Sequence, residues 1–310
     1  MLRFLINPHS RSGKGKSIWE KLRASLPEDL AFQEFHTQYP GHGVRLAATL
    51  TEKPEDPAPV IAVMGGDGSL NEALNGFHLE NHPILCCLPT GSGNDYTRGM
   101  GLSPDPQKAV ENMLHHPTVQ DLDFGEVRFS REGASLDRRF LVSCGMGYDA
   151  SVCRCINRSR MKRLFNALHL GKLAYLFLGL GQILLCRRTD GTLSVDGGPP
   201  TELKNIAFAS CHNLPYEGGG FRFAPAAAPD DGWLDLCVVT ARSRARLALV
   251  LLAAFAGSRH TRFRGVYTLR CRQASLQLDK PLPLHTDGEV PGEFTGMDIT
   301  CHPKELRILR

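Results

Sequence analysis

The sequence predicts two domains of different fold class. Residues 1–121 read as an α/β domain built on a parallel sheet. Residues 122–310 read as an antiparallel β-sandwich with inserted helices, its last residues free to rejoin the first domain. Three observations carry this reading. The first 120 residues alternate short apolar runs with helix-like segments, as parallel sheets covered on both faces do. After Val119 the runs become short and alternating, separated by Gly, Pro and Asp, as in antiparallel β folds. Finally, 310 residues with 42% hydrophobic content suffice for two cores.

In chain order, strands are expected at Leu2–Ile6, Ala31–Phe35, Val60–Met64 and Ile84–Leu88. Helices are expected at Lys16–Leu26, Val44–Leu50, Leu70–Gly76, from about Asp95, and at Pro106–His115. In the second half, strands are expected at Asp121–Phe129, Phe140–Cys144, Ile206–Ser210, Trp233–Val239, Val266–Arg270 and Ser275–Leu278. Two helical stretches interrupt them, Lys162–Cys186 and Ala245–Ala256.

The net charge of +4 says little about partners, but its distribution says more. Residues 150–189 contain no Asp or Glu and eight Lys or Arg, and residues 236–278 contain no acid and eight Arg. Such a field suits an anionic surface. No nucleic-acid-binding motif accompanies it, so nucleic acid is not an expected partner. The ten cysteines lack the density of a disulfide framework and the paired spacing of a zinc site, as expected of reduced thiols in a cytoplasmic protein. The apolar run 164–186 is long enough to span a membrane but contains His169, Lys172 and Gln182, which favours a buried or interfacial helix.

Three glycine-rich loops follow predicted strands. In the second, Val60–Met64 runs into Gly65-Gly66-Asp67-Gly68-Ser69-Leu70-Asn71-Glu72. Glycines there let backbone N–H groups approach a phosphate, and the helix that follows adds a partial positive charge. Asp67 would repel a bare phosphate, so it makes sense as a ligand of Mg²⁺ or water beside phosphates. The loop after the next strand, Gly91-Ser92-Gly93-Asn94-Asp95, has the same form, with Asn94 or Asp95 also a candidate helix cap. Two such loops at the carboxyl ends of adjacent strands make one ligand crevice. The first loop, Asn7 to Ser17, fails the Walker A pattern because Ser10 stands where glycine is required. Gly91-x-Gly93 fails the dinucleotide pattern because Tyr96 stands at the third glycine.

Together these residues resemble the catalytic domain of the diacylglycerol, sphingosine and ceramide kinases. The resemblance rests on Asn7-Pro8 with Gly13, the Gly65–Gly76 block and Gly91–Asp95. It continues through Asn213, Gly218-Gly219-Gly220, Ala224-Pro225, Pro229–Leu234 and Asp287-Gly288-Glu289-Val290. It therefore covers nearly the whole chain. Arg11 departs from the family's usual glycine, and Ser69 and Ser92 replace the commoner threonine. The resemblance implies an NAD-kinase-like first domain that binds ATP, a β-sandwich second domain, and an active site in the cleft between them. The positions implied for ATP are Asn7, Thr37, Gly65, Gly66, Asp67, Gly68, Ser69, Leu70, Asn71, Glu72, Gly91, Ser92 and Asn94. Asp231 is implied as a structural Mg²⁺ ligand, helped by the carbonyls of Ala228 and Trp233. Glu289 matches the proton acceptor, with Asp287 beside it; either could serve, since alternate residues of a regular strand share a face. The alternative reading of Asp287-Gly288 is a hairpin turn.

The implied activity is ATP- and Mg²⁺-dependent phosphorylation of a lipid hydroxyl. Alternatives are an NAD-kinase-like enzyme and a silent lipid- or membrane-binding protein on the same scaffold. Arg158, Arg160, Lys162 and Arg163 precede a Leu- and Phe-rich helix, the composition of a peripheral membrane element on an anionic surface. The sequence leaves open which lipid is used and the oligomeric state, a homodimer being one option.

Overall fold

The computed structural model describes residues 2–131, 134–158, 179–218 and 220–310. The chain divides into two compact units, Met1–Leu122 with Lys304–Arg310, and Asp123–Pro303.

In the first unit, β1 (Leu2–Ile6) is followed by a single turn, α1 (Ser10–Gly13), and by α2 (Gly15–Ala24). Then come β2 (Phe32–His36), α3 (His42–Thr51), β3 (Val60–Gly65), α4 (Asp67–Gly76), β4 (Ile84–Pro89), α5 (Asp95–Gly99) and α6 (Pro106–His115). Strand β1 pairs in parallel with β2 and β3, and β3 with β4. Residues Arg307–Leu309 add a further parallel strand on β4. Strands β3 and β4 read as continuous apolar runs because both their faces are covered. Phe4 and Ile6 pack with Trp19 and Leu22 of α2 and Val110 and Met113 of α6. Leu5, buried between them, points to the other face, as the two-residue period requires. The sheet brings the carboxyl ends of β1, β3 and β4 side by side, with the three glycine loops at those ends.

The second unit is antiparallel. It contains β5 (Val119–Arg131), β6 (Ala134–Phe140), β7 (Ser143–Gly147), α7 (Tyr148–Arg158), β8 (Thr189–Val195), β9 (Thr201–His212) and β10 (Leu234–Thr240). These lead to α8 (Arg244–Phe255), β11 (Val266–Cys271), β12 (Gln273–Thr286) and β13 (Glu289–Leu309), whose residues from Lys304 on belong to the first unit. Strands run in the order β11-β10-β9-β7-β12-β13, with β8 bridging β9 and β12. Strand β10 sorts its side chains by alternation. Leu234, Leu236 and Val238 enter one core with Phe129, Met146 and Leu284. Cys237 and Val239 enter another with Phe208, Leu247 and Val250 of α8.

Several sequence expectations are corrected. The strand expected at Phe140–Cys144 is two strands, β6 and β7, separated at Leu141-Val142. Strand β12 extends well beyond Ser275–Leu278, and β8 and most of β13 were not expected. Most of the expected helix Lys162–Cys186 lies outside the described residues, as do Gly219, Arg160, Lys162, Arg163 and the side chain of Arg158; residues 179–185 are helical. All ten cysteines are free. Among the described residues no helix is long and apolar enough to cross a membrane.

Candidate active site

The first unit assembles its loops by direct backbone contact. The Thr90 N–H donates to the Gly65 carbonyl at 2.8 Å, joining the loops after β3 and β4. Gly66 and Gly91 then meet so closely that a Cβ on Gly91 would stand 2.6 Å from the Gly66 Cα. A side chain there would drive the two loops apart, which is why glycine is needed. Asn7 Nδ2 donates to Ser69 Oγ at 3.0 Å, and the Ser10 and Thr90 hydroxyls lie 2.8 Å apart, so the loop after β1 joins the same cluster.

Asp67 opens α4, yet its carboxylate reaches across to the neighbouring loop. It accepts the N–H groups of Asp95 and Tyr96, both at 3.1 Å, and so caps α5. Asn94, just before that helix, adopts the left-handed conformation at φ 49°. Burial pushes the Asp67 carboxyl above its ordinary range, while the Tyr96 and Asp95 amides and the Arg98 charge pull it down. Arg98 itself pairs with Asp95 at 2.5 Å, a partner the sequence reading missed. Glu72 is committed elsewhere: it accepts the N–H groups of Gly41 and Gly43 at 2.8 and 2.9 Å, capping α3. Thr37 is half-buried, its N–H bonded to the Ile6 carbonyl. Leu70 and Asn71 are buried, so their side chains support the loop from behind. Ser92 is exposed, and Gly66, Gly68, Ser69 and Asn94 are half-buried, leaving hydroxyl, amide and backbone groups open to a ligand.

In the second unit, Asp287 and Gly288 form a two-residue hairpin turn between β12 and β13, with φ of 46° and 86° and Thr286 paired to Glu289. Because Asp287 sits in the turn and not on a strand, the expectation that it shares a strand face with Glu289 is corrected. Its carboxylate accepts three backbone N–H groups, from Leu141, Val142 and Ser143, at 2.9, 2.9 and 3.0 Å. A carboxylate bonded in this way to three successive amides anchors the turn to Leu141–Ser143. Glu289 is exposed, and its side chain has no hydrogen-bond or ion-pair partner among the described residues.

The loop of Ala228, Asp231 and Trp233 is shaped by Asp123. That buried carboxylate accepts the Gly232 N–H at 2.7 Å, and the Asp123 N–H donates to the Pro229 carbonyl at 2.6 Å. Asp231 accepts the Trp233 N–H at 3.0 Å and is ion-paired to Arg270. Arg270 and Arg272 both lie over the Trp233 ring, with centroid distances of 5.6 and 4.8 Å. Asp231 therefore shares its loop with two arginine side chains, one of them its ion-pair partner.

A second group of titratable residues was not foreseen from sequence. His285 Nε2 lies 3.2 Å from Asp149 and 3.4 Å from Glu217, all three buried. Burial opposes ionisation of Glu217, but the charge of His285 beside it wins and holds the carboxyl down to about 2. Asp149 moves the other way, burial pushing it up against the pull of His285. His212 lies 3.6 Å from Glu217, and burial pulls its imidazole from 6.5 down to about 4. His212 must therefore stay neutral in the folded protein, whereas the unfolded chain takes up its proton near 6.5. Stability is consequently lost as pH falls from about 6.5 to about 4, by on the order of 3 kcal/mol for this residue. Denaturant titrations across that interval should show the decline, and His212→Gln should flatten it. An equal decline in the variant would assign it to other groups.

The model of the diacylglycerol kinase catalytic domain matches residues 1–127. The model of the YegS C-terminal NAD kinase beta sandwich-like domain matches residues 142–310. The Bacillus subtilis protein YtlR, which carries a lipid kinase name, is 26% identical over 313 residues, covering 98% of each chain. The diacylglycerol kinase of the same organism is 25% identical over 317 residues, covering 98% of this chain and 96% of its own. A crystal structure of a diacylglycerol kinase from Bacillus anthracis superposes with a TM-score of 0.67 at 18% identity, covering 99% of this chain and 95% of that one. Yeast NADH kinase superposes at a TM-score of 0.53 and 10% identity, covering 100% of this chain and 82% of that one, which places both in one broad fold.

Proposed function

The chain belongs to the lipid kinase family that joins a diacylglycerol kinase catalytic domain to a YegS C-terminal NAD kinase beta sandwich-like domain, and from that premise we propose how its residues divide the transfer of the ATP γ-phosphoryl group to a lipid hydroxyl. The observation that carries the assignment is the Gly66–Gly91 contact, which brings two glycine loops and their helix N-termini together. Phosphoryl transfer needs mainly positioning and neutralisation of dispersed negative charge. In the first unit the amides of Gly65–Ser69 and Gly91–Asn94 take the phosphates, Asn7 holds Ser69 in place, and Lys14 and Lys16 add positive charge. Asp67 stays at the meeting of the loops, where its half-buried carboxylate lacks a full counter-charge and suits a cation. Mg²⁺ neutralises phosphate charge when bound, and Asp67 is the carboxylate this unit offers it; Asp231, paired to Arg270, serves as a loop anchor. In the second unit Glu289 accepts the proton of the attacking hydroxyl, a role worth typically about 10²–10⁴-fold.

The acceptor is a lipid of the diacylglycerol, phosphatidylglycerol or sphingoid kind. The basic segments of residues 150–189 and 236–278 support work at an anionic membrane surface as a peripheral protein. A kinase assay with labelled ATP against a lipid panel in mixed micelles tests the assignment, with NAD as a parallel acceptor. Label is expected in a lipid. Label in NAD alone, or in nothing while ATP still binds, would overturn it in favour of an NAD-kinase-like enzyme or a silent scaffold.

A further inference from the structure

Because the Glu289 side chain has no partner among the described residues, its position is set by the backbone that carries it. That backbone is a tight hairpin with a left-handed residue on either side of its apex. On one side Asp287 ties it to Leu141–Ser143. On the other stands α7, which touches it three times. Before the turn, Asp149 near the start of the helix meets His285 at 3.2 Å. At the turn, Asn157 Nδ2 donates to the Gly288 carbonyl at 2.9 Å. After the turn, Arg154 pairs with Glu293 at 3.0 Å, joined there by Arg187 at 2.7 Å. Asp149 and Asn157 are about 12 Å apart along a rigid helix, so the three ties act as one clamp. Arg154 and Asn157, three residues apart, share one face. Tyr148, Val152 and Cys153 line an apolar cavity with Leu180, Phe223 and Leu251.

We propose that α7 is the positioning element for Glu289: its ties to His285, Gly288 and Glu293 hold the hairpin so that the carboxylate stands where the acceptor hydroxyl loses its proton. Arg154, Asn157 and Glu293 are positioning residues that act only through Glu289. The inference rests on the reading of Glu289 as the proton acceptor.

A double-mutant cycle tests it, using the full chain and a lipid substrate found active in the panel. Arg154→Ala with Asn157→Ala should lower kcat about tenfold with the KM for ATP unchanged, and Glu293→Gln, which breaks the clamp from the strand side, should lower it in the same sense. Melting temperatures of both should stay close to that of the parent. In a Glu289→Gln background the same changes should cause no further loss, because residues acting through one group are not additive with its removal. Normal kcat in the clamp variants, or a further tenfold loss on a slow Glu289→Gln enzyme, overturns the clamp alone. Normal turnover of Glu289→Gln by itself overturns the proton-acceptor reading and the clamp with it.

Discussion

Glu289→Gln should lower lipid turnover by about 10²-fold or more, the usual consequence of removing a general base. The substitution keeps size and hydrogen bonding and removes only the capacity to accept a proton. The residue is exposed and unpartnered among the described residues, so the fold should not register the change. The KM for ATP should barely move, since the base acts on the acceptor and not on the phosphates. Asp287 provides the contrast. Asp287→Ala leaves three backbone N–H groups of Leu141–Ser143 without their acceptor, so it should lower the melting temperature together with the activity. Steady-state kinetics and thermal melts of the two variants separate the roles. If Glu289→Gln turned over normally and Asp287→Asn were stable but dead, the assignment of the two carboxylates would be reversed.

Asp67→Ala should be the most damaging change in the first unit. It removes the acceptor for the Asp95 and Tyr96 amides, and loss of such a cap costs about 1 kcal/mol. It also removes the carboxylate proposed to hold the cation that accompanies ATP. Turnover should therefore fall far more than stability, by about 10²-fold or more if charge neutralisation is the main catalytic term. ATP with Mg²⁺ should raise the melting temperature of the parent, because a ligand that binds only the folded state stabilises it by mass action. That rise should be small or lost in the variant. Asp67→Asn, which keeps one acceptor oxygen for the cap, should recover most of the stability and little of the activity. Wild-type turnover in Asp67→Ala would remove Asp67 from the reaction altogether.

What the sequence determined by itself was local. Strand β1 is expected and found at Leu2–Ile6, and α6 at Pro106–His115, because apolar periodicity and a proline in the first helical turn are properties of contiguous residues. The glycine loops were legible for the same reason, since strand, Gly-Gly-Asp-Gly and helix follow one another without a break. Tertiary structure decided which acceptor meets which donor. Glu72, a candidate nucleotide contact in the sequence, accepts the amides that begin α3, some 30 positions earlier in the chain. Asp231 looked like a metal ligand and pairs with Arg270, 39 residues away. Asp287, a candidate base in the sequence, accepts the amides of Leu141–Ser143 across about 145 residues of chain. His285, Asp149 and Glu217, scattered through the sequence with no common motif, converge in one buried cluster. A side chain's chemistry is written in its residue type, but a carboxylate is base, ligand or anchor according to the donors that surround it. Those donors come from segments of chain that only folding brings together.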